Sequence, residues 1–473
     1  MESQQVSAPF DFSAIRSEFA LPGTYPAEAV AEARDAVDAF AGTRVDRTDL
    51  ELATIDPPGA MDLDQALQIS RTPTGFTLHY AIADLGAVIV ADSALDTEAR
   101  KRGQTYYLPD GSIPLHPPVL SEDTASLLPE RTRPAALWTI ELDNAAQPQH
   151  FSVVRALVRS RARFDYAQVQ ADADAGTLHP SIAALPEFGA LRIADGLARG
   201  AISLRLPNQE VVADGDGWKL AIEPRTAADD WNEQVSLLTG MCAASITLDG
   251  QVGLLRTMPP PQPSAIESMR RTAAALGVDW PADMPAGQLL AGLDPNSPAG
   301  LVLMSEATSL LRGARYTLLA DLEPADRRPE LLTHSGVGAP YAHVTAPPRR
   351  LGDRFTTEIC LARCAGTEVP QWVIDGLPEV ATALARTDSV ANKVDRACVD
   401  LTETTVLEDR VGQDFPAIVL REATANRPAE IFIADPPILT GCTGNPPEGE
   451  RVTARLTTSD PKTRTLTFDY VRE

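Results

Sequence analysis

Apolar and polar residues alternate over residues 76–83 (FTLHYAIA) and 136–142 (ALWTIEL), the period of half-buried strands. Residues 184–200, 231–248 and 264–276 instead place apolar side chains three and four apart, which predicts helices. Residues 10–19 and 27–40 share that helical spacing and are separated by Leu21-Pro22-Gly23, predicting a short helical arm over residues 1–46. The two periods mix through residues 47–403, and the run Pro259-Pro260-Pro261-Gln262-Pro263 reads as an extended, hinge-like stretch. From about residue 407 the pattern changes to four short β-like runs, 414–421, 429–434, 450–456 and 463–471, separated by Gly, Pro and Asp. A strand-rich module over residues 404–473 fits a small OB-type barrel, and the chain as a whole an α+β fold. With few exposed aromatics for base stacking, a capping sheet that binds nothing is the other reading of that module.

A length of 473 residues predicts two or three domains. Apolar residues make up 44% and charged residues 22%, and no apolar run has the length of a membrane span. Met1-Glu2-Ser3-Gln4-Gln5 carries neither the basic cluster nor the apolar core of a secretory leader, so a soluble, cytoplasmic protein is expected. Cys242, Cys360, Cys364, Cys398 and Cys442 include no CxxC pair and read as reduced thiols. The six histidines form no spacing suited to a metal or to a histidine-dependent nuclease, and Ser121 and Ser126 lack a paired base. A formal charge of −24 argues against a protein that coats nucleic acid over its whole surface. It leaves room for a channel, because Arg155, Arg159, Arg161 and Arg163 form one basic cluster and Arg349, Arg350 and Arg354 another. Solvated faces would give the same pattern.

The densest chemistry lies in TIDPPGAMDLDQAL, residues 54–67, where Asp56, Asp62 and Asp64 stand among apolar neighbours. Such carboxylates repel one another and lose hydration unless a cation sits between them. Asp62 and Asp64 would share one side of an extended segment, and Asp56 can return to it through the Pro57-Pro58-Gly59 turn. Oxygen ligands suit magnesium or manganese, completed by water and substrate phosphate. An EF-hand loop is excluded by its missing Gly and distal Glu. On spacing alone, a capped acidic turn without metal stays open.

That stretch, together with YYLPDGSIPLHP at residues 106–117, resembles the RNB catalytic domain of the ribonuclease II family. Further segments resemble the family in order: LS and ASLLP within 120–129, ARFDYAQV at 162–169, WNEQVSLL at 231–238, and YAHVTAPPRRLGD at 341–353, which is similar to YAHFTSPIRRYxD. The resemblance covers about residues 45–400. It implies an RNB catalytic domain over residues 47–403, with sheets and helices around an RNA channel, and an RNA-binding role for the barrel. The implied activity is a magnesium-dependent, 3′-to-5′ hydrolytic exoribonuclease that degrades single-stranded RNA to nucleoside 5′-monophosphates, acting as a monomer.

Asp56, Asp62 and Asp64 are then the expected metal ligands, with Asp64 the residue on which catalysis most depends and Arg349 a phosphate clamp. RNA contacts are expected from Tyr107, Arg349, Arg350, His343 and Arg163, with Tyr107 stacking on a base near the 3′ end. Three departures stand out. Gln65 occupies the position of a fourth acidic residue and is expected to offer only a carbonyl oxygen to the metal. Leu204 falls near the aromatic that would complete a base clamp. The arm is too short for the paired cold-shock barrels many members carry. Asp395 matches a second acidic position only loosely. Gln65, Leu204 and the acidic surface motivate an alternative, an RNB-fold RNA-binding or regulatory protein with weakened catalysis.

Overall fold

Six strands build the sheet that carries the acidic segment: β1 (Val45–Asp46), β2 (Leu52–Ile55), β3 (Gln65–Thr72), β4 (Gly75–Ala83), β5 (Thr132–Asp143) and β6 (Pro148–Phe164). Their order is β1-β6-β2-β3-β4-β5, and β6 also pairs with β5, so the pairings return on themselves. At 17 residues β6 is long enough for both roles: its first part runs antiparallel to β5, and Ser160 to Phe164 run parallel to β2. This computed structural model describes residues 10–204, 209–215, 217–222, 225–295, 297–425 and 427–472. The leader reading of Met1 to Gln5 lies outside the described residues.

Both faces of the sheet are covered, so every residue of β4 except the half-buried Thr77 and His79 is buried, more than the half-burial that its alternation predicts. Leu78, Tyr80 and Ile82 join Ile69, Trp138 and Ile140 in a core packed against Val235, Leu238 and Cys242 of the helix Ala227–Gly250. The opposite face is built from smaller residues, Ala66, Ala81, Ala135 and Ala156 with Leu137 and Val158. Thr226 and Asp229 close a capping box at the start of that helix. Farther along it, Gly240 admits a close approach: a Cβ there would stand 2.1 Å from the Tyr341 ring. Ala342 N donates to Gly240 O at 3.1 Å, docking the 341–353 segment onto the helix.

The 37-residue helix Gln371–Leu407 leads to a closed barrel of Asp414–Arg421, Ala429–Ala434, Pro437–Thr443, Arg451–Asp460 and Thr465–Val471. The third of these strands is absent from the sequence pattern: it begins with Pro437, contains Gly441 and so carries little strand signal of its own. Pairing with Ala429–Ala434, from Ala434↔Pro437 to Ala429↔Cys442, supplies what its sequence lacks. In the arm, helices span Ser13–Glu18 and Ala27–Arg34, and the second stops short of residue 40. Asp38 there accepts from Phe40 N and pairs with Arg44, local bonds that compete with the helix. No helix among the described residues is long and apolar enough to cross a membrane.

Candidate active site

Parallel pairing of Ile55 with Phe164 and antiparallel pairing of Gln65 with Ile82 bring the end of β2, the start of β3 and the end of β6 to one edge of the sheet. Asp56 and Asp64 both lie at that edge, one leaving β2 and the other entering β3. Asp56 N is held by Phe164 O at 3.1 Å, and Asp64 O accepts from Ala83 N at 3.0 Å. The loop between them turns at Gly59, whose φ of 85° favours glycine. It is then fixed by Ser126, whose Oγ accepts from Leu63 N at 3.0 Å and donates to Met61 O at 2.7 Å. Ser126 thus has a structural duty that its sequence context did not announce.

Asp64 is 5% exposed. Burial pushes its carboxyl up to about 6, and Arg349, whose Nε donates to Asp64 Oδ2 at 3.2 Å, pulls the other way. Asp56 is pushed up to about 7, by burial first and then by the charge of Asp64, while Arg163 opposes the rise. Its Oδ2 is buried and has no hydrogen-bond partner among the described residues. Two carboxyls that resist ionising together, one with an orphaned oxygen, are a fitting donor set for a hard divalent cation. No three His, Cys, Asp or Glu side chains among the described residues converge as a ready metal cage. Magnesium accepts such an open set, since it keeps waters and takes further oxygens from substrate phosphate. Asp62 is half-buried, lies near enough for its charge to raise both Asp56 and Asp64, and lines a neighbouring cavity of about 210 Å³ together with Thr105, Tyr107, Ser112 and Glu122.

The carboxamide of Gln65 already has protein partners. Its Oε1 accepts from the Tyr80 hydroxyl, which also meets Ser236 Oγ at 2.9 Å, and its Nε2 donates to Thr345 O at 2.8 Å. Both ends of the carboxamide are occupied. Tyr80 and Ser236 escaped the sequence reading because nothing local links residues 65, 80, 236 and 345.

The second basic segment divides in the same way. Arg349 reaches Asp64 with a side chain still 39% exposed, whereas Arg350 turns inward onto Asp353 with Nη2 to Oδ2 at 2.8 Å. His343 Nδ1 pairs with the Tyr316 hydroxyl at 2.8 Å, and burial followed by the charge of Arg350 holds the ring well below its ordinary value. Arg350 and His343, expected at the RNA, therefore already have protein partners, and His343 is a neutral brace. Arg354 is paired with Asp96 in the interior, and Arg155 with Asp84 and Glu358. Arg161 donates to Thr48 O at 2.7 Å, and Arg159 to Thr132 Oγ1 at 3.3 Å. Much of the clustered positive charge is internal bracing. Arg163 is the exception: its guanidinium makes no hydrogen bond or ion pair with any described residue. It lines a cavity of about 330 Å³ with Asp56, Phe164 and Gln168.

Tyr107 is 56% exposed on the hairpin of Tyr106–Leu108 and Gly111–Ile113, while Tyr106 is buried. Leu204 lines a separate cavity of about 510 Å³ with Arg192, Arg199, Met241 and His334. Asp395 is exposed on the helix Gln371–Leu407.

This combination of sheet edge, acidic loop and arginine turn, followed by a barrel, defines an RNB-type fold. The chain belongs to that family: residues 44–360 match the RNB domain, and residues 413–471 match the RNase II-type exonuclease C-terminal S1 domain. It is similar to ribonuclease R of Aquifex aeolicus, 25% identical over 427 residues that cover 85% of this chain and 59% of the relative. It is 29% identical over 385 residues to the exosome complex exonuclease RRP44 homolog A of Arabidopsis thaliana, covering 76% of this chain and 40% of that protein. The chain thus spans about half the length of these curated relatives. Among solved structures, apo Mycoplasma genitalium RNase R superposes with a TM-score of 0.86 at 20% identity, covering 97% of this chain and 77% of the other. Yeast Ssd1, described as a pseudonuclease, superposes at 0.66 with 16% identity, covering 94% and 54%.

Proposed function

We propose that the chain is a magnesium-dependent 3′-to-5′ hydrolytic exoribonuclease that degrades single-stranded RNA to nucleoside 5′-monophosphates in RNA turnover. The observation that carries this reading is the placement of Asp64 between Asp56, which resists ionising beside it, and Arg349, which approaches it from the opposite segment. Asp56 and Asp64 would hold the cation, magnesium or manganese, and Asp62 would support it from the loop. A divalent cation bound there supplies charge stabilisation for the phosphoryl oxygens and promotes deprotonation of the attacking water. Arg349, partly exposed, can exchange its bond to Asp64 for a substrate phosphate and hold the backbone without reading bases. Tyr107 offers a solvent-facing ring for the terminal base, and Arg163 a free guanidinium beside Asp56.

Mycoplasma genitalium RNase R has been solved with ribose-methylated single-stranded RNA and with double-stranded RNA, which supports RNA as the ligand class here. We assign the arm to residues 1–46, catalysis to 47–403 and an RNA-binding barrel to 404–473, in a monomer acting in the cytoplasm. A second reading, an RNA-binding protein with weakened catalysis, is favoured by the engaged carboxamide of Gln65 and by the likeness to Ssd1. Incubating the purified protein with a 5′-labelled unstructured RNA, in magnesium or in EDTA, separates the two. Magnesium-dependent shortening from the 3′ end to a short 5′ fragment supports the enzyme, and an intact RNA that is still bound supports the second reading.

A further inference from the structure

We infer that Gln65 is a positioning residue that sets Arg349 against Asp64 by clamping a single peptide unit, in place of the metal-facing acid its position suggests. The peptide between Thr345 and Ala346 is held at both ends. Its carbonyl accepts from Gln65 Nε2 at 2.8 Å, and its N–H donates to Asp353 Oδ2 at 2.7 Å. The next carbonyl, Ala346 O, accepts from Arg349 N at 3.1 Å and Arg350 N at 2.9 Å, so the turn that launches both arginines is built on the clamped unit. Arg350 then closes onto the same Asp353, which leaves Arg349 as the side chain aimed at Asp64.

Residue 65 suits this task because it follows Asp64 directly and is locked in β3 by its register with Ile82. Besides Arg349 itself, the Gln65 side chain therefore spans the distance between the acidic loop and the arginine turn. Only a donor can hold the Thr345 carbonyl, and the proton that the Tyr80 hydroxyl gives to residue 65 needs an acceptor there. Glutamine provides both. A carboxylate would keep the bond from Tyr80 but turn an oxygen towards Thr345 O, and one buried carbonyl would lose its donor. The substitution that most resembles a restored metal ligand is thus the one that breaks the tether.

This inference rests on reading Arg349 as a phosphate-binding group, and its test does not require cleavage. Affinity for a 5′-labelled single-stranded RNA would be measured in EDTA for the wild type, Gln65→Glu, Gln65→Met, Arg349→Gln and the two double variants. Gln65→Met keeps the size and neutrality of the side chain, so it remains informative if the glutamate variant folds poorly. Each change at residue 65 is expected to weaken binding about tenfold in the wild-type background and less than twofold beside Arg349→Gln, the non-additivity of residues acting as a unit. With magnesium, both variants are expected to lower the single-turnover cleavage rate, and the glutamate variant to need no less magnesium. Equal losses in both backgrounds, no loss, a gain of activity in Gln65→Glu, or a wild type that binds no RNA would each overturn the inference. A wild type that binds RNA without cleaving it would sink the exonuclease reading alone, because the binding cycle still reports on residue 65.

Discussion

Arg349 Nε stands 3.2 Å from Asp64 Oδ2 although the two residues are 285 positions apart, and no other cation makes a hydrogen bond to Asp64 among the described residues. The pair is asymmetric. Asp64 is buried while the arginine side chain remains 39% exposed, so on the proposed reading Arg349 is the partner that would turn to a substrate phosphate.

Asparagine at Asp64 separates chemistry from binding. It keeps the shape and removes the charge that would hold the cation. Single-turnover cleavage should fall at least about a hundredfold, or about 2.7 kcal/mol in the barrier. RNA affinity in EDTA should stay within about twofold or improve, since a negative charge near phosphate is gone. Undiminished cleavage by the variant would exclude Asp64 from the reaction.

Stability in EDTA should depend on pH in a direction opposite to that of paired surface carboxylates. Asp56 and Asp64 titrate near 7 and 6 in the folded chain against an ordinary 3.8, so between about pH 4 and 7 the folded state binds more protons than the unfolded one. Stability is then lost as pH rises through that window, by a few kcal/mol at the very most, on the order of one per pH unit. Magnesium, by binding the ionised pair, should flatten the slope. Urea unfolding at pH 5 and 7.5 with Asp56→Asn as control checks this: the variant should show the shallower dependence.

Tyr107 is exposed, so its loss should leave folding unchanged. Base stacking on an aromatic ring contributes about 1–3 kcal/mol. Tyr107→Ala should therefore raise KM for short RNAs by about tenfold or more and change the length of the final 5′ fragment, with Tm unmoved. An unchanged gel pattern and KM would remove Tyr107 from the substrate path.

The sequence disclosed those parts of the site whose signal is local. Alternation in residues 76–83 corresponds to β4, and the ordered motifs mark the family because each is a contiguous run. What stayed hidden depends on distant pairing. Positive charge at Arg155 and Arg354 reads as a surface patch until Asp84 and Asp96 are seen beside them. Gln65 reads as a lost ligand until Thr345 and Tyr80 close on its two ends. The strand Pro437–Thr443 is carried by its neighbours rather than by its own residues.

A single hydroxyl, that of Ser126, holds the acidic loop. It is fully buried, takes the Leu63 N–H and returns its own proton to Met61 O. Alanine would leave a buried donor and a carbonyl without partners, at a cost of about 1–3 kcal/mol. The loss falls between Asp56 and Asp64, so it should loosen the spacing of the two carboxylates as well as the fold. Ser126→Ala should therefore lower the urea midpoint without changing the m-value and raise the magnesium concentration needed for half-maximal cleavage severalfold. Threonine keeps the hydroxyl but adds a methyl to a site with no exposed surface, so it should restore the magnesium requirement better than it restores stability. A midpoint and magnesium requirement both unchanged in the alanine variant would show that the loop is held by its flanking strands alone.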